Sequence, residues 1–292
     1  MKCTNALVAF GLTAILLSAS GCANETKGHG QLSGPGSVAA ASSPDDQAII
    51  KADEFLGANG PSEQGRQIVI QKCMNAAGFD WDESEVRRFQ VEDLISLKPL
   101  TVEQARSNGY AQTQQSAGKE NDASEPGAAE AFAGPSNASR VSVDIFGMKP
   151  SVSSEGCLAE SYKEVYGSIE KGMMATGVTT NALLPSVNAA ITDTAVLDAD
   201  KAWSACMEQA GIPDLSSPDL AWKKAKDNSQ EAGSIAVSDA KCRESVGYEK
   251  ARTASLNKYL TTFLRTNETL ITEIQEIRRQ GAANAQKILS GL

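Results

Sequence analysis

Cys73-Met74-Asn75-Ala76-Ala77-Gly78-Phe79 and Cys206-Met207-Glu208-Gln209-Ala210-Gly211-Ile212 are two copies of one pattern. In each, a stretch with helical apolar spacing reaches a Cys-Met pair. A glycine follows four residues after the methionine, and then an apolar residue. Glycine takes the left-handed conformation that ends a helix without steric cost, and the apolar residue folds back over the last turn. Both copies therefore read as helix C-termini carrying a cysteine. Each is followed by a second cysteine on a helical stretch, Cys157 to Gly167 and Cys242 to Gly247. The most economical pairing is Cys73–Cys157 and Cys206–Cys242. Pairing across the copies, Cys73–Cys206, is the rival. The expected fold is mainly α, with two related cysteine-paired units and little or no strand.

The other two cysteines lie upstream. Lys2 supplies a positive start, Ala6 to Leu17 is an apolar run, and small residues close it. That is the anatomy of a signal peptide. The run falls short of the roughly 20 residues that span a bilayer. It ends in Ala19-Ser20-Gly21-Cys22, the form of a lipobox, with alanine where leucine is usual. Residues 1–21 read as the signal peptide. Cys22 reads as the lipidated mature N-terminus, diacylated through its thiol, which makes the membrane the first partner. Two acyl chains anchor stably where one does not. Ordinary secretion with a free Cys22 is the plainer alternative. Residues 22–43, rich in Gly, Ser and Ala without a period, form a flexible linker that contains His29. The remaining four cysteines then occupy an oxidising compartment, where disulfides persist. By loop-closure entropy each bond is worth roughly 4–5 kcal/mol, against about 5–15 kcal/mol for a whole domain.

Composition excludes several functions. The 292 residues carry 27 basic and 36 acidic side chains, a net charge of −9. No Lys/Arg cluster offers a nucleic-acid face. A single histidine rules out Ser-His-Asp and Cys-His catalysis and any zinc site needing two imidazoles. No Cys-x-x-Cys redox motif exists. Gly28-His29-Gly30 lies in the linker, away from any strand–helix turn that would make it a phosphate loop. The acidic clump Asp80-Trp81-Asp82-Glu83-Ser84-Glu85 has Glu85 and Val91 where a calcium loop needs Gly and Glu, so it reads as a solvated turn. No catalytic residue, metal ligand or cofactor is nominated, and the chain reads as non-enzymatic. Trp203 and Trp222 could line a pocket between helices, although tryptophan at helical spacing is more often core.

Along the mature chain, residues 44–167 read as the first helical unit and 193–292 as the second, joined by a connector, 168–192. Ser43-Pro44-Asp45-Asp46 caps a helix ending near Gly57, with Ile49, Ile50, Phe55 and Leu56 as its apolar residues. Pro61 opens the helix that ends at the first repeat, with Ile68, Ile70 and Met74 inward. Leu94 and Leu97 fit a short amphipathic stretch around 84–97. Thr101-Val102-Glu103-Gln104 has capping-box spacing, and Gly109 ends that helix. Residues 111–140 read as a mobile excursion with a short helix near 127–133, and 141–152 as a brief extended piece. Ser153/Ser154 are the expected cap of the Cys157 helix. Asp193 to about Ala210 is a helix with Val196, Trp203 and Met207 inward. Ser217-Pro218-Asp219 starts another. From about Ala232 a helical pattern bends at Gly247 and runs to near Arg279. Within it, Leu256, Leu260, Phe263, Asn267, Leu270, Ile274 and Ile277 form a heptad seam with a polar core position. Leu264 and Ile271 widen the stripe, which favours burial within the chain over pairing with a partner.

The lipobox, CM-x3-G, Ala105-Arg106-x3-Gly109-Tyr110, Gly156-Cys157 to Tyr166-Gly167 and Ala236-x2-Asp239-x2-Cys242 occur in one order. In that order the chain resembles a group of actinobacterial secreted lipoproteins of unassigned function. The resemblance implies a disulfide-stapled helical ectodomain at the outer face of the cell membrane in a Gram-positive envelope. It implies no catalytic residues. The expected function is an accessory or protein-interaction module of an envelope complex, with the 250–279 helix as the surface for a protein partner. The alternative is a small-ligand-binding lipoprotein.

Overall fold

The computed structural model describes residues 38–57, 60–82, 89–95, 98–110, 125–178 and 180–291. The signal segment, Cys22, His29, the linker as far as residue 37, residues 111–124, Leu97 and the end of the acidic clump lie outside these. Ser37–Leu292 cluster as one compact unit. The chain is mainly α, with a single two-stranded ribbon among the described residues.

The two repeat copies end their helices in the same way. Helix α2 (Gly60–Ala76) follows α1 (Ala48–Gly57), and the second copy closes α8 (Thr194–Gln209). Gly78 and Gly211 have φ of 94° and 83°. Phe79 N–H donates to Met74 O at 3.0 Å and Ile212 N–H to Met207 O at 2.9 Å. This is the Schellman arrangement, which satisfies carbonyls the helix leaves open. An added Cβ on either glycine would meet nothing within 4 Å, so the backbone angle alone demands glycine there. Met74 and Met207 are fully buried beneath these caps.

The cysteines are joined as the economical pairing expects, Cys73–Cys157 and Cys206–Cys242, each with Cα atoms 5.6 Å apart. The rival bond across the copies is not formed. The sequence separations of 84 and 36 correspond to about 4.6 and about 3.8 kcal/mol of loop-closure stabilisation. Cys157 opens α5 (Cys157–Tyr166), and Cys242 lies in α10 (Ala232–Val246). Both helices end on a left-handed glycine, Gly167 and Gly247.

Around the first cystine lie α4 (Ala128–Ala133) and, beside it, the ribbon β1 (Arg140–Ser142) and β2 (Ser151–Ser153), while α3 (Val102–Asn108) precedes them in the chain. Val141 pairs antiparallel with Val152. Trp81 stacks on Phe132 of α4 at 5.6 Å and covers Ile70 and Met74. The cap of α5 differs from expectation. Gly156, with φ of 92°, starts the helix without a side-chain cap. Ser153 and Ser154 tie the ribbon instead: Ser153 Oγ accepts from Glu155 N–H, and Ser154 N–H donates to Ser139 O. Glycine is required at 156 because a Cβ there would lie 2.4 Å from Gly134 N.

Residues 168–192, read as a connector, lie inside the one compact unit Ser37–Leu292. That stretch holds α6 (Ile169–Thr176) and α7 (Leu184–Ile191), and both are packed into the body. Helix α3, from the expected first unit, packs on α10 of the second. From the other end of the chain, α12 (Glu268–Ser290) lies on α2, α5 and α6. The physical reason is the length of the last apolar stripe. Ile271 and Ile274 complete one core with Phe55, Leu183, Leu256 and Leu260, and Ile277 enters another with Val69, Val165 and Met173. Small residues let α12 close. A Cβ on Gly65 would meet Ala285 Cβ at 2.5 Å, and one on Gly281 would meet the Tyr166 ring at 2.6 Å.

The heptad seam is thus buried within its own chain. Helix α11 (Tyr248–Thr266) stops at Asn267, whose Nδ2 donates to Phe263 O at 2.8 Å, and α12 restarts there. Asn267 caps a helix rather than selecting a partner, and α12 runs past Arg279 to Ser290. Ile50 also departs from expectation: it is 52% exposed, while Ala48, Ala52, Phe55 and Leu56 fill the inner face of α1. Arg278 is buried with no carboxylate partner among the described residues. It donates to Ala175 O at 2.8 Å and to Phe55 O, which lie at the C-terminal ends of α6 and α1. Two negative helix ends stand where a counter-ion would. Burial still pulls its pKa down, to about 10.

Candidate functional site

The concentration of buried charge lies in the second cystine's neighbourhood. Asp239 and Arg243 are four residues apart on α10, on one face of the helix, and are 0% and 1% exposed. Arg243 Nε and Nη2 grip Asp239 Oδ1 and Oδ2 at 2.7 Å each. Trp203 Nε1 on α8 donates to Oδ1 at 2.9 Å, and the Tyr110 hydroxyl after α3 donates to Oδ2 at 2.9 Å. A buried carboxylate is tolerable only when so many donors surround it. Burial leaves Asp239 above its ordinary carboxylate value, with Arg243 and then Tyr110 and Trp203 pulling it back. Burial, followed by the charge of Asp239, pushes the Tyr110 hydroxyl far up, so it remains a donor.

The network continues onto α11. Arg243 Nη1 donates to Lys98 O at 3.2 Å and reaches Glu249 Oε1 at 3.4 Å. Arg252 Nη2 lies 2.6 Å from Glu249 Oε2. The Arg243 guanidinium also sits over the Tyr248 ring at 5.9 Å. Glu249 thus bridges two arginines at the elbow where α10 turns into α11 at Gly247.

A cavity flanks the network on each side. The first, about 470 Å³, lies between the start of α3 and the elbow. Leu100, Val102 and Ala240 give it apolar walls, and Glu103, Glu244 and Lys250 stand around it, with Arg243 reaching its edge. The second, about 300 Å³, lies between α7, α8, α11 and the start of α9 (Pro218–Asp227). Val196, Ile191 and Pro218 line it beside Asp200, Asp219, Tyr248 and Arg252. Burial, and then repulsion from Asp219, raises the Asp200 pKa. Tyr248 stands beside Asp200 and draws its pKa back down. Among the described residues no group of three or more His, Cys, Asp or Glu is placed to hold a metal ion.

Of the residues singled out from sequence, the four cysteines are joined two by two. Trp203 is fully buried and serves the network rather than a pocket. Trp222 packs half-buried on the same core with Lys226 Nζ 5.4 Å from its ring centroid, and lines neither cavity. Sequence reasoning passed over Arg243, Glu249 and Asp200, and it quoted Tyr110 and Asp239 as motif positions without a role. The available signal was Asp239-x3-Arg243 set among alanines on a helix that also buries Cys242.

Comparison with known proteins adds no likeness: no family model matches the chain, and no curated protein or solved structure matches it.

Proposed function

We propose that this chain is a lipid-tethered protein on the outer face of the cell membrane of a Gram-positive envelope. It acts there as a non-enzymatic accessory or interaction module of an envelope complex. The observation that carries the reading is the pair of cystines inside the folded body, bonds that last where the surroundings are oxidising. The signal-type run before Cys22 supplies the export route and the tether. No helix among the described residues is long and apolar enough to cross a membrane. The ordered motifs, read as resembling those of actinobacterial secreted lipoproteins, point the same way.

With the seam of residues 250–279 buried, the surface left to a partner is the outer flank of that helix pair. Leu264, Arg265, Glu268, Thr272 and Gln275 line a groove of about 490 Å³ with Asp45 and Lys51. Asp45 brings that groove close to the first described residues of the chain.

The test is fractionation of cells expressing the wild type and Cys22→Ala, with in-cell crosslinking and mass spectrometry of the wild type. The wild type should sediment with membranes, and Cys22→Ala should be released. A recurrent envelope protein should be captured at near-equal amounts. Retention of Cys22→Ala in the bilayer overturns the tether, and a clean monomer overturns the module. The second reading, a small-ligand-binding lipoprotein, is favoured by the two cavities beside the charge network.

A further inference from the structure

We propose that the 300 Å³ cavity between α8, the start of α9 and α11 binds a small organic ammonium ion, with Asp200 as its anchor. This gives the second reading a ligand class and depends on neither the lipid nor a protein partner.

The charges around the cavity are already paired, with one exception. Arg252 lies against Glu249. Asp219 accepts from Ser217 Oγ at 2.5 Å and from Lys223 Nζ at 3.1 Å. Asp200 has the neutral Tyr248 beside it, and no cation among the described residues is bonded to it. Its Oδ1 is shut off from solvent and has no hydrogen-bond partner. A carboxylate oxygen in that state costs free energy until a donor reaches it, and a cationic donor also offsets the charge. Asp200 itself lines the cavity, so a tilt of its carboxylate short of a half-turn turns the unpartnered oxygen toward a guest.

The walls fix the rest of the guest. Val196, Ile191 and Pro218 offer an aliphatic lining, and Ile191 at 37% exposure stands at the mouth. The volume is at the small end of ligand cavities. An anionic guest would meet two carboxylates, Asp200 and Asp219. A bare divalent cation would find too few oxygen ligands. An alkylammonium of modest length satisfies both the acid and the apolar wall. Burial and the facing Asp219 already disfavour ionised Asp200, while Arg252 and Tyr248 face it from α11. An arriving ammonium restores the ionised form, so affinity rises with pH until Asp200 is fully deprotonated.

The test is calorimetric titration of the full chain with n-hexylammonium, n-hexanol and hexanoate at constant ionic strength. Hexylammonium should saturate one site, at least about tenfold more tightly than hexanol, the equivalent of one charge-assisted hydrogen bond. Asp200→Asn should lose about tenfold in affinity with its melting temperature kept or raised. Glu276→Gln, at a distant exposed acid, should leave binding unchanged and so exclude general attraction to an acidic surface. Ile191→Ala, at the mouth and tolerant of change, should weaken hexylammonium and leave methylammonium unaffected, a readout independent of whether Asp200→Asn folds. Equal binding of hexanol or hexanoate, unchanged affinity in Asp200→Asn, or no saturation by hexylammonium overturns the proposal. None of these outcomes bears on the tether or the partner, which fractionation and crosslinking read separately.

Discussion

Replacing Arg243 by methionine isolates the most consequential interaction in the second cystine's neighbourhood. Methionine roughly fills the side chain's volume, so the change is mainly one of charge. It removes two 2.7 Å bonds to Asp239 and leaves that carboxylate, 0% exposed, with Trp203 and Tyr110 as its donors. Stripping one partner from a buried ion pair costs about 3–5 kcal/mol, because the remaining charge stays desolvated. At a urea dependence of about 3 kcal/mol per molar, the unfolding midpoint should fall by more than about 1 M. Trp203 lies inside the network, so its fluorescence follows the transition. The uncompensated Asp239 should hold a proton in the folded variant more tightly than in the unfolded chain. Stability of Arg243→Met should therefore increase as pH falls. Adding Asp239→Asn should recover part of the loss, since an amide buries no charge and still accepts from Trp203 or Tyr110. A coupling of about 1–3 kcal/mol between the two sites is expected. A loss below about 1 kcal/mol in Arg243→Met, or strict additivity in the double variant, would refute the reasoning.

Arg278→Met should cost less, about 1–3 kcal/mol by the same assay, because it orphans the carbonyls of Ala175 and Phe55 and leaves no bare carboxylate. Gly65→Ala should destabilise by about 1–3 kcal/mol, since its Cβ would fall 2.5 Å from Ala285 Cβ and 2.9 Å from its Cα, forcing α12 away from α2. Thermal unfolding checks both the size and the sign. Asp200→Asn should be more stable than the wild type at neutral pH. A carboxyl with a raised folded pKa favours folding when protonated, and that contribution is lost as pH rises through the folded value. The advantage of the asparagine should therefore vanish below about pH 4, the unfolded carboxylate range.

Local structure was largely legible in the sequence because short-range stereochemistry sets it. Thr101 and Gln104 form the reciprocal cap their spacing implies, at 3.1 and 3.0 Å. Asp193 accepts from Ala195 N–H as the cap of α8, and both Cys-Met-x3-Gly copies end as expected. What sequence could not supply was the partner of each apolar face. Leu256, Leu260 and Phe263 carry the same spacing whether they meet α1 and α7 or another protein. The Gly281 to Ala285 stretch looked like the fading of a helix, yet its small side chains are what admit α12 against Tyr166 and Ala285's neighbour Gly65. Asp239 and Asp200 resemble any acidic residue on a polar helix until the packing of α3, α8 and α11 buries one and half-buries the other.

The placement of α12 has a consequence for how the chain comes together. A chain emerging N-terminus first releases α2, α5 and α6 long before the 23 residues that cover them. Until then Val69, Val165 and Met173 lack the helix that carries Ile277. Residues 194–246, by contrast, bring α8, α9 and α10 out together, with α3 already waiting. The later cystine therefore closes on a locally finished neighbourhood, and the earlier one on a half-open one. The final helix acts as a clasp. Its distant pairing makes assembly slow, and a chain cut short at Asn267 would keep its caps and cysteines but present an open seam of isoleucine- and valine-lined core to its surroundings.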